Sequence, residues 1–139
     1  MGNLNNTNLE VSKFSLDCVK KCVDEKEIKV QKEYKTLVKK MPTLIQKNGF
    51  INTLAFLLSK SKSNEQHEIV IKNIIDWSKK NKKIEIFLKL DENGCDFEKY
   101  INKINNITDN YEYRLITKEM MILFGWVKRF ADAMIEKED

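Results

Sequence analysis

One proline, four glycines and one histidine stand among 139 residues, and each scarcity excludes something. An all-β sandwich or barrel needs a turn signal about every eight to twelve positions, and Gly and Pro are too few to supply them. A proline-rich linker and a collagen-like repeat fall on the same ground. With 42% apolar residues, the chain is too hydrophobic for a disordered tail. The lone histidine, His67, leaves no second imidazole for a two-histidine ribonuclease mechanism, and its position beside an apolar helical stripe reads as a surface or boundary residue. The three cysteines, Cys18, Cys22 and Cys95, form no C-x-x-C pair. An odd number of thiols without a secretory segment points to a reducing cytoplasm. Cys18 and Cys22 are one helical turn apart, but zinc takes four ligands, and only Cys95 and His67 remain to complete a set. No metal site and no cofactor are expected.

Long hydrophobic runs are also missing. The longest, Met120 to Val127, is interrupted by Gly125 and is far shorter than the roughly 20 residues of a membrane span. The start Met1-Gly2-Asn3-Leu4-Asn5-Asn6 has neither the basic nor the apolar region of a signal peptide, and Thr7 misses the myristoylation frame. There is no Gly-rich phosphate loop, no H-E-x-x-H and no G-x-S-x-G. The acidic pairs Asp24/Glu25 and Asp91/Glu92 sit in polar stretches and read as solvated charges. No catalytic residues are identified, and no enzymatic activity is expected.

What is present is helical periodicity. The length suits one domain with one core, spanning 1–139, with residues 1–6 as a polar tail. Thr7 and Glu10 have the spacing of a capping box, which predicts a helix from there with Leu9, Leu16, Val19 and Val23 on its inner face and Cys18 and Cys22 flanking it. A second helix is expected from about Glu25, carrying Val30, Tyr34, Leu37 and Met41 and ending near Lys40 or Met41, because the residue before a proline avoids the helical region. Pro42 then opens a short helix that Asn48-Gly49 closes, glycine taking the left-handed conformation. Phe50 to Lys60 is apolar nearly all round, which predicts a helix in the middle of the core. Ser63 with Gln66 forms a second capping box, opening a helix that buries Val70, Ile71, Ile74, Ile75 and Trp77.

Ile84 to Leu90 alternates like a strand, but a lone strand has nothing to pair with; a short helix or irregular segment is expected. Asp91-Glu92-Asn93-Gly94 is a turn, and Asp96 caps a short helix carrying Phe97, Tyr100, Ile101 and Ile104. Asp109 with Glu112 opens the last and longest helix, of about 26 residues, with the stripe Ile116, Met120, Leu123, Val127, Phe130 and Met134. The fold class is all-α: a single compact bundle of about six helices with a long C-terminal helix.

The charge balance is mildly basic, +4, and almost wholly from lysine, since Arg114 and Arg129 are the only arginines. Diffuse contact with a phosphate backbone tolerates lysine, whereas base-edge readout favours arginine forks. The basic clusters are Lys39-Lys40, Lys79 to Lys83 and Lys128-Arg129. The middle one lies at a helix C-terminus, where the dipole favours cations whatever the function. Lys128-Arg129 lies inside the last helix between Val127 and Phe130, where it can meet a phosphate or a partner's carboxylate. Trp77 and Trp126 can stack on bases but sit at apolar helical edges, where tryptophan usually packs into core. Gly125 costs about 1 kcal/mol in a helix interior, for which close helix approach or simple tolerance both account.

Two segments carry a resemblance. Residues 42–60 read PTLIQKNGFINTLAFLLSK and residues 117–135 read TKEMMILFGWVKRFADAMI. Together they resemble the small-subunit family of type III-B CRISPR effector (Cmr) complexes. The resemblance implies an all-α, non-catalytic, cytoplasmic subunit serving antiviral defence. It implies partners too: the other Cmr subunits including the guide-holding backbone subunit, neighbouring copies of itself, and guide and target RNA met through their backbones. On the matching positions, Lys47, Lys60, Lys128 and Arg129 are the RNA-facing candidates, while Lys39 and Lys40 come from local charge alone. Leu54, Phe56, Trp126, Phe130 and Ala131 in the same blocks are expected to form core. An A-form duplex is held by shape and phosphate charge, which a lysine-rich face can supply. A helical adaptor that binds only protein is the alternative. A sequence-specific DNA regulator ranks below both, because no segment reads as a recognition helix.

Overall fold

The computed structural model describes residues 3–91 and 96–136. They form seven α-helices: α1 (Asn3–Glu25), α2 (Ile28–Asn48), α3 (Phe50–Ser61), α4 (Glu65–Lys80), α5 (Lys82–Leu88), α6 (Phe97–Asn105) and α7 (Asn110–Met134). No strand occurs among the described residues, as the all-α expectation requires. The long α7 packs along α1 and α2; α4 packs against α2 and α3; α5 joins α4 to α7, and α6 closes on α3 and α4. The turn expected at Asp91–Gly94 lies largely outside the described residues, as does Cys95.

Several boundaries move, each for a physical reason. α1 begins at Asn3, ahead of the capping box expected at Thr7. Its buried face is Val11, Ser15, Cys18, Val19 and Cys22, while Leu9 is 66% exposed; the two cysteines are central to that face, not flanking it. α2 starts at Ile28 rather than Glu25. The turn before it is closed by Gln31, whose Nε2 donates to the carbonyls of Val23 at 3.1 Å and Lys26 at 2.8 Å, satisfying acceptors that the end of α1 leaves open.

The expected break at Pro42 does not occur, and α2 runs through it to Asn48. A helix-interior proline costs about 3 kcal/mol through its missing N–H and ring clash. Burial of Val38, Met41 and Ile45 on the same helix face opposes that penalty.

Gly49 ends α2 as expected, donating its N–H to the Ile45 carbonyl at 2.9 Å. Its backbone lies at φ 83°, ψ 161°, which is the extended mirror region rather than the left-handed helical one. The same residue starts α3: its carbonyl accepts from Thr53 N at 3.1 Å and from Thr53 Oγ1 at 2.8 Å. α3 buries Phe50, Thr53, Leu54 and Leu57 but leaves Ala55 and Phe56 facing outward, so it forms one wall of the core, not its centre. Phe56, expected in the core, is 39% exposed. The Ser63–Gln66 box is also replaced: Asn64 is the N-cap of α4 and makes no side-chain cap bond there. α4 nonetheless buries Val70, Ile71, Ile74, Ile75 and Trp77 as its periodicity predicts.

Asn81 splits the basic run by capping α5, accepting from Lys83 N at 3.0 Å. Ile84 and Leu88 are buried while Ile86 is 74% exposed, so the ambiguous stretch is helical over most of its length. Asp96 and Asp109 cap α6 and α7 as read from the sequence, at 2.8 Å each.

The α7 stripe holds from Ile116 to Val127 and then drifts. Ala131 and Ile135 take the buried positions, Phe130 is half-buried and Met134 is 36% exposed. A pattern averaging 3.5 residues per turn rotates about 20° per heptad against a 3.6-residue helix, so its far end leaves the core.

Several buried polar side chains are paired across elements, while the Ser15 hydroxyl and the Trp77 indole N–H are buried without a partner among the described residues. Tyr34 Oη donates to Asn73 Oδ1 at 2.7 Å, and the hydroxyls of Ser78 and Tyr100 lie 2.8 Å apart. Asn81 Nδ2 donates to Glu119 Oε1 at 2.8 Å, with Lys83 Nζ 3.8 Å from the other carboxylate oxygen.

Candidate nucleic-acid interface

The C-terminal half of α7 carries the densest group of candidate residues. Trp126 and Phe130 are one turn apart and half-buried, their rings stacked at 6.1 Å with 24° between planes. Arg129 is exposed and lies over the Trp126 ring at 5.6 Å. The guanidinium is thus laid against a π-face and still offers N–H donors to solvent. Trp126 and Phe130, expected as core, form the edge of the core instead; Ala131 and Leu54 are fully inside.

Asp132 draws Lys39 to this end of α7. Lys39 Nζ is 3.5 Å and Lys35 Nζ 3.9 Å from its carboxylate. Lys35 was not anticipated by sequence reasoning. It is 8% exposed and donates to the Ile135 carbonyl at 2.9 Å, placing an ammonium at the negative end of the longest helix dipole. Its position within the Tyr34, Leu37 and Val38 stripe was the available signal. Glu119 is the same kind of case: a carboxylate beside Met120 on an apolar face, 4% exposed.

The structure therefore brings Lys39 to the α7 end that carries Lys128 and Arg129, with Asp132 between them in charge. Lys128 is half-buried, Lys40 is exposed on α2, and neither Lys128 nor Arg129 has an ion-pair partner among the described residues. Lys47 and Lys60 are exposed but apart. Lys47 lies in the last turn of α2 and Lys60 in the last turn of α3, so the length of α3, roughly 18 Å at 1.5 Å per residue, separates them. Of the six candidates, Lys39 is tied through Asp132 to the α7 segment that holds Lys128 and Arg129, while Lys40, Lys47 and Lys60 are joined to it by no ion pair among the described residues.

Elsewhere the titratable groups are tuned by burial. The Cys18 thiol is pushed up to about 12 and Cys22 to about 11, first by desolvation, which opposes the thiolate that a metal or a nucleophilic reaction requires. His67 is 9% exposed, on the buried side of the boundary where it was expected. Phe56 meets it edge-on at 5.6 Å, and its Nδ1 has no hydrogen-bond partner. Desolvation, followed by the charge of Lys60, lowers its pKa. Among the described residues no group of three His, Cys, Asp or Glu side chains is disposed to hold a metal ion. No helix there is long and apolar enough to cross a membrane.

Fold and surface together define an all-α protein whose surface mixes charged side chains, lysine foremost among the cations, with isolated apolar ones such as Ile86 and Tyr111. The chain matches the family described as CRISPR-associated protein (Cas_Cmr5) over residues 7–134, and it belongs to that family. It is a small subunit of the type III-B Cmr kind, and membership carries association with the other Cmr subunits.

Proposed function

We propose that this chain is a non-catalytic structural subunit of a Cmr ribonucleoprotein, working in the cytoplasm in antiviral defence. It stacks with neighbouring copies along the guide-holding backbone and stabilises the guide–target RNA through a basic face. The observation that carries the reading is the family match across residues 7–134. Lys128 and Arg129, without an ion pair among the described residues and beside a half-buried tryptophan, support the RNA contact. Stacking in a row needs two different patches on each subunit. The outward face of α3 at Ala55 and Phe56, and the exposed Ile122 and Met134 of α7, supply apolar surface on two elements. The same exposed surface also suits the alternative, an adaptor that binds protein without RNA.

Affinity purification of the tagged chain from cells holding the other Cmr subunits separates the two. Recovery of those subunits with short guide RNAs is expected; recovery of protein without RNA favours the adaptor. Charge reversal with Lys128→Glu and Arg129→Glu is expected to weaken target retention and the salt dependence of binding while helicity stays unchanged. Unaltered assembly, target retention and salt slope in that double variant would refute the assignment of these residues.

A further inference from the structure

A second basic site lies away from α7's C-terminal half. Between the end of α5, α6 and the approach to α7 is an open cavity of about 560 Å³, within the roughly 300–1,000 Å³ of small-ligand sites. Lys89, Lys99 and Lys103 line it, and Glu112 is the sole carboxylate among its described lining residues. None of the three ammoniums forms an ion pair among the described residues. The groove between α1 and α4 is the ordinary case by contrast, with four carboxylates and four ammoniums along its walls. Uncompensated cations in a concave wall focus positive potential, whereas alternating charges cancel it.

The cations are also partly set in place. Lys103 Nζ donates to the Lys89 carbonyl at 3.0 Å. Lys89 presents that carbonyl from a left-handed backbone, φ 50° and ψ 59°, the only such non-glycine among the described residues. Phe87, half-buried, contributes an aromatic ring to the lining, and Asn106 and Thr108 contribute neutral polar groups. A lone phosphate ion would call for converging backbone N–H groups or an arginine fork, and it would fill little of this volume. An acidic peptide has no use for the ring. Lysines and an aromatic side chain lining one cavity match a nucleotide unit, with phosphate on the lysines and base on the ring.

We propose that this cavity holds a phosphodiester segment of single-stranded RNA, with Lys99 and Lys103 on the backbone and Phe87 against a base. The proposal rests on the RNA-binding reading above and adds to it a site distinct from Lys128 and Arg129.

The test is fluorescence anisotropy of the full chain with a labelled single-stranded RNA across a salt titration. Lys99→Gln with Lys103→Gln is expected to weaken binding roughly tenfold and to flatten the log–log salt slope by about 1.4, at about 0.7 per lost phosphate contact. RNA carrying 4-thiouridine is expected to crosslink to the peptide containing Phe87. If the Lys99/Lys103 variant binds like the parent while the Lys128→Glu/Arg129→Glu variant is weakened, the cavity proposal falls and the RNA reading stands. If the parent binds no RNA alone or in the assembled complex, both fall. Inorganic phosphate is titrated in parallel by NMR. Shifts at Lys99 and Lys103 that RNA cannot reverse would make this a free-anion site and overturn the proposal, as would displacement of RNA by a poly-glutamate peptide at lower concentration.

Discussion

The same substitution, glycine to alanine, is expected to move stability in opposite directions at two positions of this chain. Gly49 joins α2 to α3 at φ 83° and ψ 161°, and a Cβ built there stands 3.7 Å from Tyr113 Oη, an ordinary contact. The penalty at Gly49 is therefore backbone strain and not a clash. An L-residue in this region costs roughly 1–3 kcal/mol, against about 0.4–1 kcal/mol recovered by restricting the unfolded chain. This region is essentially glycine-only, so the upper part of that cost applies and Gly49→Ala should destabilise by about 1–2 kcal/mol. Gly125 has the opposite setting: it lies inside α7 with nothing within 4 Å of a built Cβ. Among the described residues no neighbouring helix approaches it that closely, so of the two accounts given for this glycine, simple tolerance is the one that holds. Gly125→Ala should stabilise by about 1 kcal/mol, the helix-propensity difference. With about 2.1 cal/mol/K of unfolding entropy per residue over 139 residues, these become a fall of about 3–7 °C and a rise of about 3 °C in melting temperature. Circular dichroism at 222 nm against temperature and urea measures both. D-alanine at position 49, introduced by chemical ligation, should recover the loss because its mirror geometry suits positive φ. A neutral Gly49→Ala, or a D-alanine variant no better than the L-form, would refute the strain argument; a destabilising Gly125→Ala would refute the open space above α7.

Two further predictions come from buried polar groups. Glu119→Ala strands the Asn81 amide in the interior and should cost about 1–3 kcal/mol in urea denaturation. Glu119→Gln keeps an acceptor and gives up only the half-exposed Lys83 pair, worth about 0–1 kcal/mol, so equal losses in the two variants would count against the network. His67 has its pKa lowered in the fold, chiefly by desolvation. The unfolded chain therefore takes up a proton before the native state does, and stability falls as pH drops through about 6.5 towards the folded value. The pH dependence of the urea midpoint in that window should flatten in His67→Gln relative to the parent chain, and an identical profile in both would show that His67 carries none of it.

Periodicity made most of the helices legible, and Asp96, Asp109 and Gly49 were legible as punctuation because each acts on backbone groups within a few residues of itself. The errors cluster where a local rule meets a tertiary one. Pro42 reads as a stop, yet burial of Met41 and Ile45 on either side keeps α2 intact. Phe50 to Lys60 reads as a central helix because its apolar residues fall nearly all round it, but hydrophobicity does not say which faces will find a neighbour, and Phe56 stays 39% exposed with His67 edge-on to its ring. At the candidate interface, local charge could mark Lys39, Lys128 and Arg129 one by one. It could not show that Asp132 ties Lys39 to the end of α7, or that Lys35 is buried there. Lys89, Lys99 and Lys103 carry no local signature, because α5 and α6 bring them to one cavity only after folding.

By itself the sequence determined an all-α chain, the approximate span of its helices, and, through residues 42–60 and 117–135, the family to which it belongs. These follow from residue spacing and type, which act over a turn or two of chain and survive without knowledge of neighbours. Only the tertiary structure decided which apolar faces stay exposed, which lysines are paired and which are free, and where free cations converge. Those outcomes depend on distances between helices far apart in sequence, set by packing and charge pairing, and no local pattern encodes them.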